Sequence, residues 1–284
     1  MFQYIWYQIG RLIVDLYVRY ILKADIHRPA PLPGGAKIFV VNHPSTSDPA
    51  FVTVLTKEQT TILIKETLFK VPLFGRSLRM AGHVPVVAGN GKAALETGIR
   101  LLKAGRTVVI FPEGEISPEN GLNKAHSGAA RLALATGAPV IPIGISLNYR
   151  KLRHVHSTVE GKQELGSWYL HGPYAMTVGE PVTFAGNLED REQVHAVTGQ
   201  IMQHVQQLCY HSQRRLAHRA LYQASKKMAP RLGFATPQAA MQVAWKGTWL
   251  SLKQPALLLM RSPLFKTIES ALVVVLMYAR HFYN

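Results

Sequence analysis

Residues 37–49 read KIFVVNHPSTSDP. Lys37–Val41 is a short run of β-branched and aromatic residues, the pattern of a strand. Asn42 and His43 follow in a loop. Asp48-Pro49 is a favoured helix start, with Asp at the N-cap and Pro at the first helical position. Such a loop can fold His43 back toward the Asp48 carboxylate. A neutral imidazole can take a proton from a hydroxyl, and a carboxylate can fix its tautomer and stabilise the imidazolium that forms. That is the base-and-orienter half of a catalytic triad, with the nucleophile left to a substrate hydroxyl. Taken alone, the commoner reading of such a pair is an N-cap aspartate near an unrelated loop histidine.

Outward from this stretch, strand and helix patterns alternate. Strands are expected at Lys37–Val41, Thr61–Lys65, Val84–Val87, Thr107–Phe111 and Val140–Leu147. Helices are expected at Pro49–Thr56, Pro72–Met80, Lys92–Lys103 and Gly128–Thr136. Short links between them predict an α/β domain with a largely parallel sheet flanked by helices. Functional loops of such sheets gather at the carboxyl ends of the strands. TVVIFPEGEIS (107–117) puts Glu113 and Gly114 at such an end, APVIPIGIS (138–146) supplies another strand, and GHVPVVAGN (82–90) lies between.

Together these blocks resemble the glycerolipid acyltransferase family, of the lysophosphatidic acid acyltransferase type. Asn42, His43 and Asp48 match its NHxxxxD block, Phe111–Gly114 its FPEG block, and Val140–Ile143 its proline-bearing strand. The resemblance runs from about Leu22 to Glu180. It implies direct transfer of a fatty acyl group from a thioester to a lipid hydroxyl, 1-acyl-glycerol-3-phosphate or a related lysolipid. The thioester is acyl-CoA or acyl carrier protein, and no other cofactor is implied. His43 would be the general base and Asp48 its orienter. Glu113 and Gly114 would help bind the acceptor, with Asn42 and Pro112 in support. Oxyanion donors would come from backbone N–H groups of the His43 loop.

The chain also departs from the family pattern. Ala88 stands where an arginine is usual, Glu115 and Ile116 stand where threonine and arginine are usual, and His126 stands where a lysine is usual. An arginine grips phosphate through two parallel hydrogen bonds that alanine and isoleucine cannot make. Either Lys65, Lys124, His126 or Arg131 supplies the missing charge, or the acceptor is not a phosphomonoester. Glu115 beside the acceptor block tilts toward a sugar or other hydroxyl-rich head group, as in a glycolipid. The altered blocks also leave room for a non-catalytic lipid-binding protein on the same fold, and water in place of the alcohol would give thioester hydrolysis.

Composition fits a membrane-surface protein. The net charge of +16 favours polyanionic partners such as anionic lipid, nucleic acid or an acidic carrier. No nucleic-acid module or base-stacking aromatic cluster accompanies the cations, so nucleic acid is not expected as a partner. Residues 1–24 read as an amphipathic helix, with Phe2, Ile5, Trp6, Ile9, Ile13, Leu16 and Tyr20 on one face and Gln8, Arg11, Asp15 and Arg19 on the other. By periodicity it either lies in a membrane interface or packs on the domain. The α/β domain is expected over 25–208, containing a basic loop at RKLRHVH (150–156) and a helix from about Asp190. Residues 209–284 read as a basic, then apolar, membrane-associating helical extension, with cations at Arg214, Arg215, Arg219, Lys226, Lys227 and Arg231. Its longest uncharged run, Ser270–Tyr278, is too short to span a bilayer, and Pro263 would kink a longer helix. The expected location is the cytoplasmic face of a membrane, peripheral or monotopic. No metal-ligand spacing occurs among the remaining histidines, His154, His156 and His171 included. No GxSxG elbow is present, and the single Cys209 reads as a packed small hydrophobe.

Overall fold

Strand alternation builds the domain. In strand β2 (Lys37–Val41), Phe39 and Val41 enter one core cluster while Ile38 and Val40 enter a second on the opposite face. In β6 (Val140–Leu147), Ile141, Ile143, Ile145 and Leu147 join the first cluster and Val140 the second. A strand buried on both faces is what a sheet covered by helices on both sides requires. The computed structural model describes residues 2–71, 73–87, 89–159, 162–228 and 236–238. Two compact units are distinguished, Met1–His218 and Arg219–Asn284, and the sheet belongs to the first.

Seven strands form the main sheet. In chain order they are β1 (Asp25–His27), β2, β3 (Thr60–Lys65), β4 (Val84–Val86), β5 (Thr107–Ile110), β6 and, after a separate hairpin, β9 (Tyr174–Val178). Their spatial order is β1-β9-β6-β2-β5-β3-β4. The five strands from β6 to β4 are parallel, as the alternating pattern predicts. β9 runs against β6, and β1 pairs parallel to β9. The helices are α1 (Phe2–Leu16), α2 (Asp48–Val52), α3 (Glu66–Phe69), α4 (Phe74–Ala81), α5 (Gly91–Lys103), α6 (Gly128–Thr136) and α7 (Arg191–Met228).

Some expectations need correction. Ser47, not Asp48, stands at the N-cap of α2, and Asp48 opens the helix with its carboxylate turned elsewhere. The expected helix at Pro72–Met80 begins at Phe74, after the separate turn α3, and Pro72 lies outside the described residues. The segment expected as a basic loop is instead a single helical turn, Tyr149–Lys151, followed by strand β7 (Arg153–Val159). β7 pairs antiparallel with β8 (Lys162–Trp168), so the mixed-polarity stretch is a two-stranded hairpin.

The N-terminal segment forms the expected helix, continued by a wider turn over Tyr17–Leu22. It packs on the domain through Tyr7, Val18 and Leu22, with Val14 and Tyr17 at the edge. Tyr7 Oη pairs with Thr60 Oγ1 at 2.8 Å. The expected apolar face points away, and Ile5, Trp6, Ile9, Ile13, Leu16 and Tyr20 are all exposed, Ile13 by 62%. Among the described residues no helix is long and apolar enough to cross a membrane. Arg231, Pro263 and the Ser270–Tyr278 run lie outside the described residues.

Candidate active site

The carboxyl ends of β2 and β5 adjoin, since Val40 pairs with Ile110. The loops leaving them, 42–48 and 111–117, therefore share one edge of the sheet. Asn42 locks the first loop at its root. Its Nδ2 donates to the Ile145 carbonyl at 3.0 Å, and its Oδ1 accepts from the Ile145 N–H at 2.7 Å, both in β6. A side-chain amide presents a donor and an acceptor together, so it continues the ladder one residue past the strand.

The loop then returns His43 to Asp48, with Nδ1 3.3 Å from Oδ2. Asp48 is fully buried, while the His43 side chain keeps 18% exposure. A buried carboxylate needs donors, and this one has them. Oδ2 also accepts the Ser45 N–H at 2.6 Å, and Oδ1 accepts the Ser45 hydroxyl at 2.7 Å and the Tyr174 hydroxyl at 2.9 Å. With Nδ1 facing the carboxylate, Nε2 is the imidazole nitrogen left to face a substrate. The Phe111 ring lies 4.4 Å from the imidazole, centroid to centroid, and helps fix its plane.

Glu113 is an internal brace in this arrangement. It is buried, with Oε1 accepting the Ser117 hydroxyl at 2.5 Å and the His43 N–H at 3.3 Å. Oε2 accepts the Asn123 N–H at 2.6 Å. Ser117 closes the circuit, since its hydroxyl meets the His43 N–H and its own N–H meets the His43 carbonyl, both at 2.8 Å. Gly114 adopts φ +71°, and a Cβ there would come within 3.3 Å of the His126 ring. Pro112 is buried, and its carbonyl accepts the His126 N–H at 2.8 Å. These contacts bring Asn42, His43, Asp48, Pro112, Glu113, Gly114 and His126 together.

The expected cations are differently disposed. Lys65 ends β3, and its Nζ donates to Glu164 of the hairpin at 2.6 Å. Arg131 bonds Ser127 through Nε at 3.2 Å, and Lys124 is exposed. The N–H groups expected as oxyanion donors are mostly committed as well. Those of His43, Ser45, Thr46 and Asp48 donate within the chain, to Ser117 and Glu113, Asp48, the Ser167 carbonyl and the Ser45 carbonyl. Among the described residues no cluster of His, Cys, Asp and Glu would hold a metal ion.

Nothing in the sequence marks the residues that hold the loop from the other side. Ser167 and Tyr169 dock the hairpin end on it, Ser167 N–H on Thr46 Oγ1 at 2.8 Å and Tyr169 N–H on Ser47 Oγ at 3.0 Å. Tyr174 reaches Asp48 because β9 runs backwards: it opens the strand opposite Leu147, the last residue of β6, at the carboxyl edge. Burial pushes its phenol well above the ordinary value, and the Asp48 charge adds to the effect. Tyr149 is pushed upward the same way, and Tyr169 to about 12 by burial. Of these tyrosines only Tyr149 stands beside an expected strand end, that of Val140–Leu147; nothing in the sequence marks Tyr169 or Tyr174.

Comparison with known proteins agrees with the family resemblance. Residues 23–146 match the family model described as Acyltransferase. The 1-acyl-sn-glycerol-3-phosphate acyltransferase BAT2, chloroplastic, of Brassica napus is 31% identical over 141 residues, 48% of this chain and 40% of that protein. The 1-acyl-sn-glycerol-3-phosphate acyltransferase of Escherichia coli is 26% identical over 136 residues, 46% of this chain and 56% of that one. The chain thus spans about half the length of the curated relatives it matches. The crystal structure of the 1-acyl-sn-glycerophosphate acyltransferase of Thermotoga maritima aligns with 22% identity and a TM-score of 0.49, over 72% of this chain and 78% of that one.

Proposed function

We propose, from the match of residues 23–146 to the acyltransferase family model, that the chain moves a fatty acyl group from a thioester to a lipid hydroxyl. The observation that carries this is His43 Nδ1 on the fully buried Asp48 carboxylate, which leaves Nε2 on the opposite side of the ring. In the reaction, Nε2 takes the proton of the acceptor hydroxyl as its oxygen attacks the thioester carbonyl. The tetrahedral adduct collapses, the C–S bond breaks, and the departing sulfur takes the proton back from the imidazolium. Asp48 fixes the tautomer and offsets the transient positive charge.

The favoured acceptor is 1-acyl-glycerol-3-phosphate or a related lysolipid, on the substrates named for the relatives. Acyl-CoA or acyl carrier protein is the donor. Acceptor contacts fall to the Gly114 turn with His126, Lys124, Arg131 and Lys65, on the same edge as His43. A second reading, a head group without a phosphomonoester, draws on the Lys65–Glu164 pair, which occupies one of the cations a phosphate would need. A binding protein has no use for an imidazole held on a buried carboxylate, so catalysis is favoured over mere lipid binding. The exposed apolar face of α1, together with Leu73 (83% exposed) and Phe74, supports work at a membrane surface, anionic on its cytoplasmic side.

Purified protein given labelled acyl thioester and a panel of lipid alcohols tests this directly. Acylated lysophosphatidic acid is the expected product. A glycolipid or lysophospholipid product would move the acceptor to the second reading. Free fatty acid released without any acceptor, at a rate matching transfer, would show hydrolysis and contradict the proposal.

A further inference from the structure

The Asp48 carboxylate is held from two directions. The Ser45 N–H and hydroxyl belong to the same loop as His43 and move with it. The Tyr174 hydroxyl comes from the sheet. The Tyr174 ring is fully buried, edge-on to Phe51 at 5.4 Å and tilted against Tyr169 at 5.8 Å, so its hydroxyl has a fixed position. Turning Asp48 away from His43 would break both the Tyr174 and Ser45 hydroxyl bonds to Oδ1. A carboxylate clamped at one oxygen presents the other in one direction only.

We propose that Tyr174 is a positioning residue for acyl transfer, holding Asp48 Oδ1 so that Oδ2 stays on His43 Nδ1. This rests on His43 and Asp48 being the base pair proposed above. Tyr174 touches no reacting atom and acts through Asp48. Its second effect is electrostatic. A donor on Oδ1 disperses the carboxylate charge, so Asp48 attracts the imidazolium proton less than a bare carboxylate would in this dry pocket. The titratable groups whose charges couple to Asp48 are Tyr174 and Tyr149; Tyr169 couples to Tyr174, Cys209, Glu113 and Glu119 to Tyr149, and the His126 ring lies against Gly114. Burial keeps the three phenols and the thiol protonated. Asp48 is then the carboxylate on the imidazole, and Glu113 meets the His43 backbone rather than its ring.

The test is Tyr174→Phe in the full chain, assayed for transfer against pH. Loss of one hydrogen bond to a charged group predicts a fall in kcat of roughly tenfold. KM for both substrates stays unchanged. The acid-side fall in activity moves to higher pH, because the less dispersed charge holds the imidazole proton more tightly. Tyr169→Phe removes a hydroxyl that bonds the Pro173 carbonyl at 2.6 Å, and it leaves the acid limb where it is. 3-Fluorotyrosine at position 174 keeps ring and donor while making the phenol more acidic, and covers the case in which phenylalanine does not fold. It moves the limb to lower pH. An unmoved limb in both position-174 variants, whether or not kcat falls, overturns the positioning role. Absence of transfer by the unaltered chain overturns the underlying reading of the site instead.

Discussion

At the scale of residues, Glu113 carries two readings, a contact to the acceptor and an internal brace. The resemblance assigned it to acceptor binding, yet both of its oxygens are spent on Ser117, His43 and Asn123. A ligand contact and a brace predict different kinetics. Glu113→Ala leaves the Ser117 hydroxyl and the Asn123 N–H short of an acceptor, at about 1–3 kcal/mol each before relaxation, while the His43 N–H keeps Ser117 Oγ. The expected outcome is lower kcat together with a lower melting temperature. Higher KM for the acceptor with unchanged melting would show that Glu113 contacts the ligand. Cys209 gives a simpler case. Packed against the second core cluster, its thiol is pushed up to about 12 by burial, with the Glu113 charge adding to the shift. A thiol that does not ionise is a poor nucleophile. Disulfide reagents should therefore leave the folded chain unmodified and its activity unchanged, and rapid labelling of the native protein would contradict this.

At the scale of elements, the parallel strands were legible because each is a short run of β-branched residues bounded by turn signals. The β6 strand and helix α6 fall where the pattern puts them. The hairpin was not legible. Arg153, His154 and His156 make β7 look like a solvated loop, and it is a strand only because β8 pairs with it residue for residue. Nor was the reversal of β9, since strand direction is set by pairing and leaves no mark on periodicity. That reversal is what delivers Tyr174 to the site. A glycine carries the packing of α7 on β6. A Cβ at Gly144 would sit 2.1 Å from the Leu208 carbonyl carbon and the Cys209 nitrogen. Helix backbone cannot yield as a side chain can, so Gly144→Ala should cost at least about 1–3 kcal/mol. Chemical denaturation measures this, and unchanged stability would mean that the helix lies farther from the sheet.

At the scale of the whole molecule, the proposed work at a membrane surface rests on the net charge and the exposed apolar face of α1. The periodicity of residues 1–24 left open whether their apolar face is buried or displayed, because an amphipathic pattern is the same in both cases. Tyr7, Val18 and Leu22 settle it by packing inward while Ile9 and Ile13 stay outside. Ile9→Asp with Ile13→Asp should weaken binding to anionic vesicles and leave the fold intact, as co-sedimentation and melting would show. The fold also has an acid-sensitive joint. His83 accepts the Ile62 N–H at Nδ1, and burial lowers its pKa from 6.5 to about 4. Between those values the unfolded chain binds a proton that the folded chain refuses. Stability from this group is therefore complete above pH 6.5 and is lost as pH falls toward 4, with a slope of about one proton. His83→Gln should remove that slope from the melting curves. The claim on which the rest depends is that His43 moves the proton of a lipid hydroxyl. The most direct measurement is acyl transfer on lipid vesicles by the unaltered chain and by His43→Gln, with vesicle binding and melting temperature recorded alongside. The account predicts intact binding and melting with transfer reduced roughly 10²–10⁴-fold. Turnover within a few fold of the unaltered chain would contradict it.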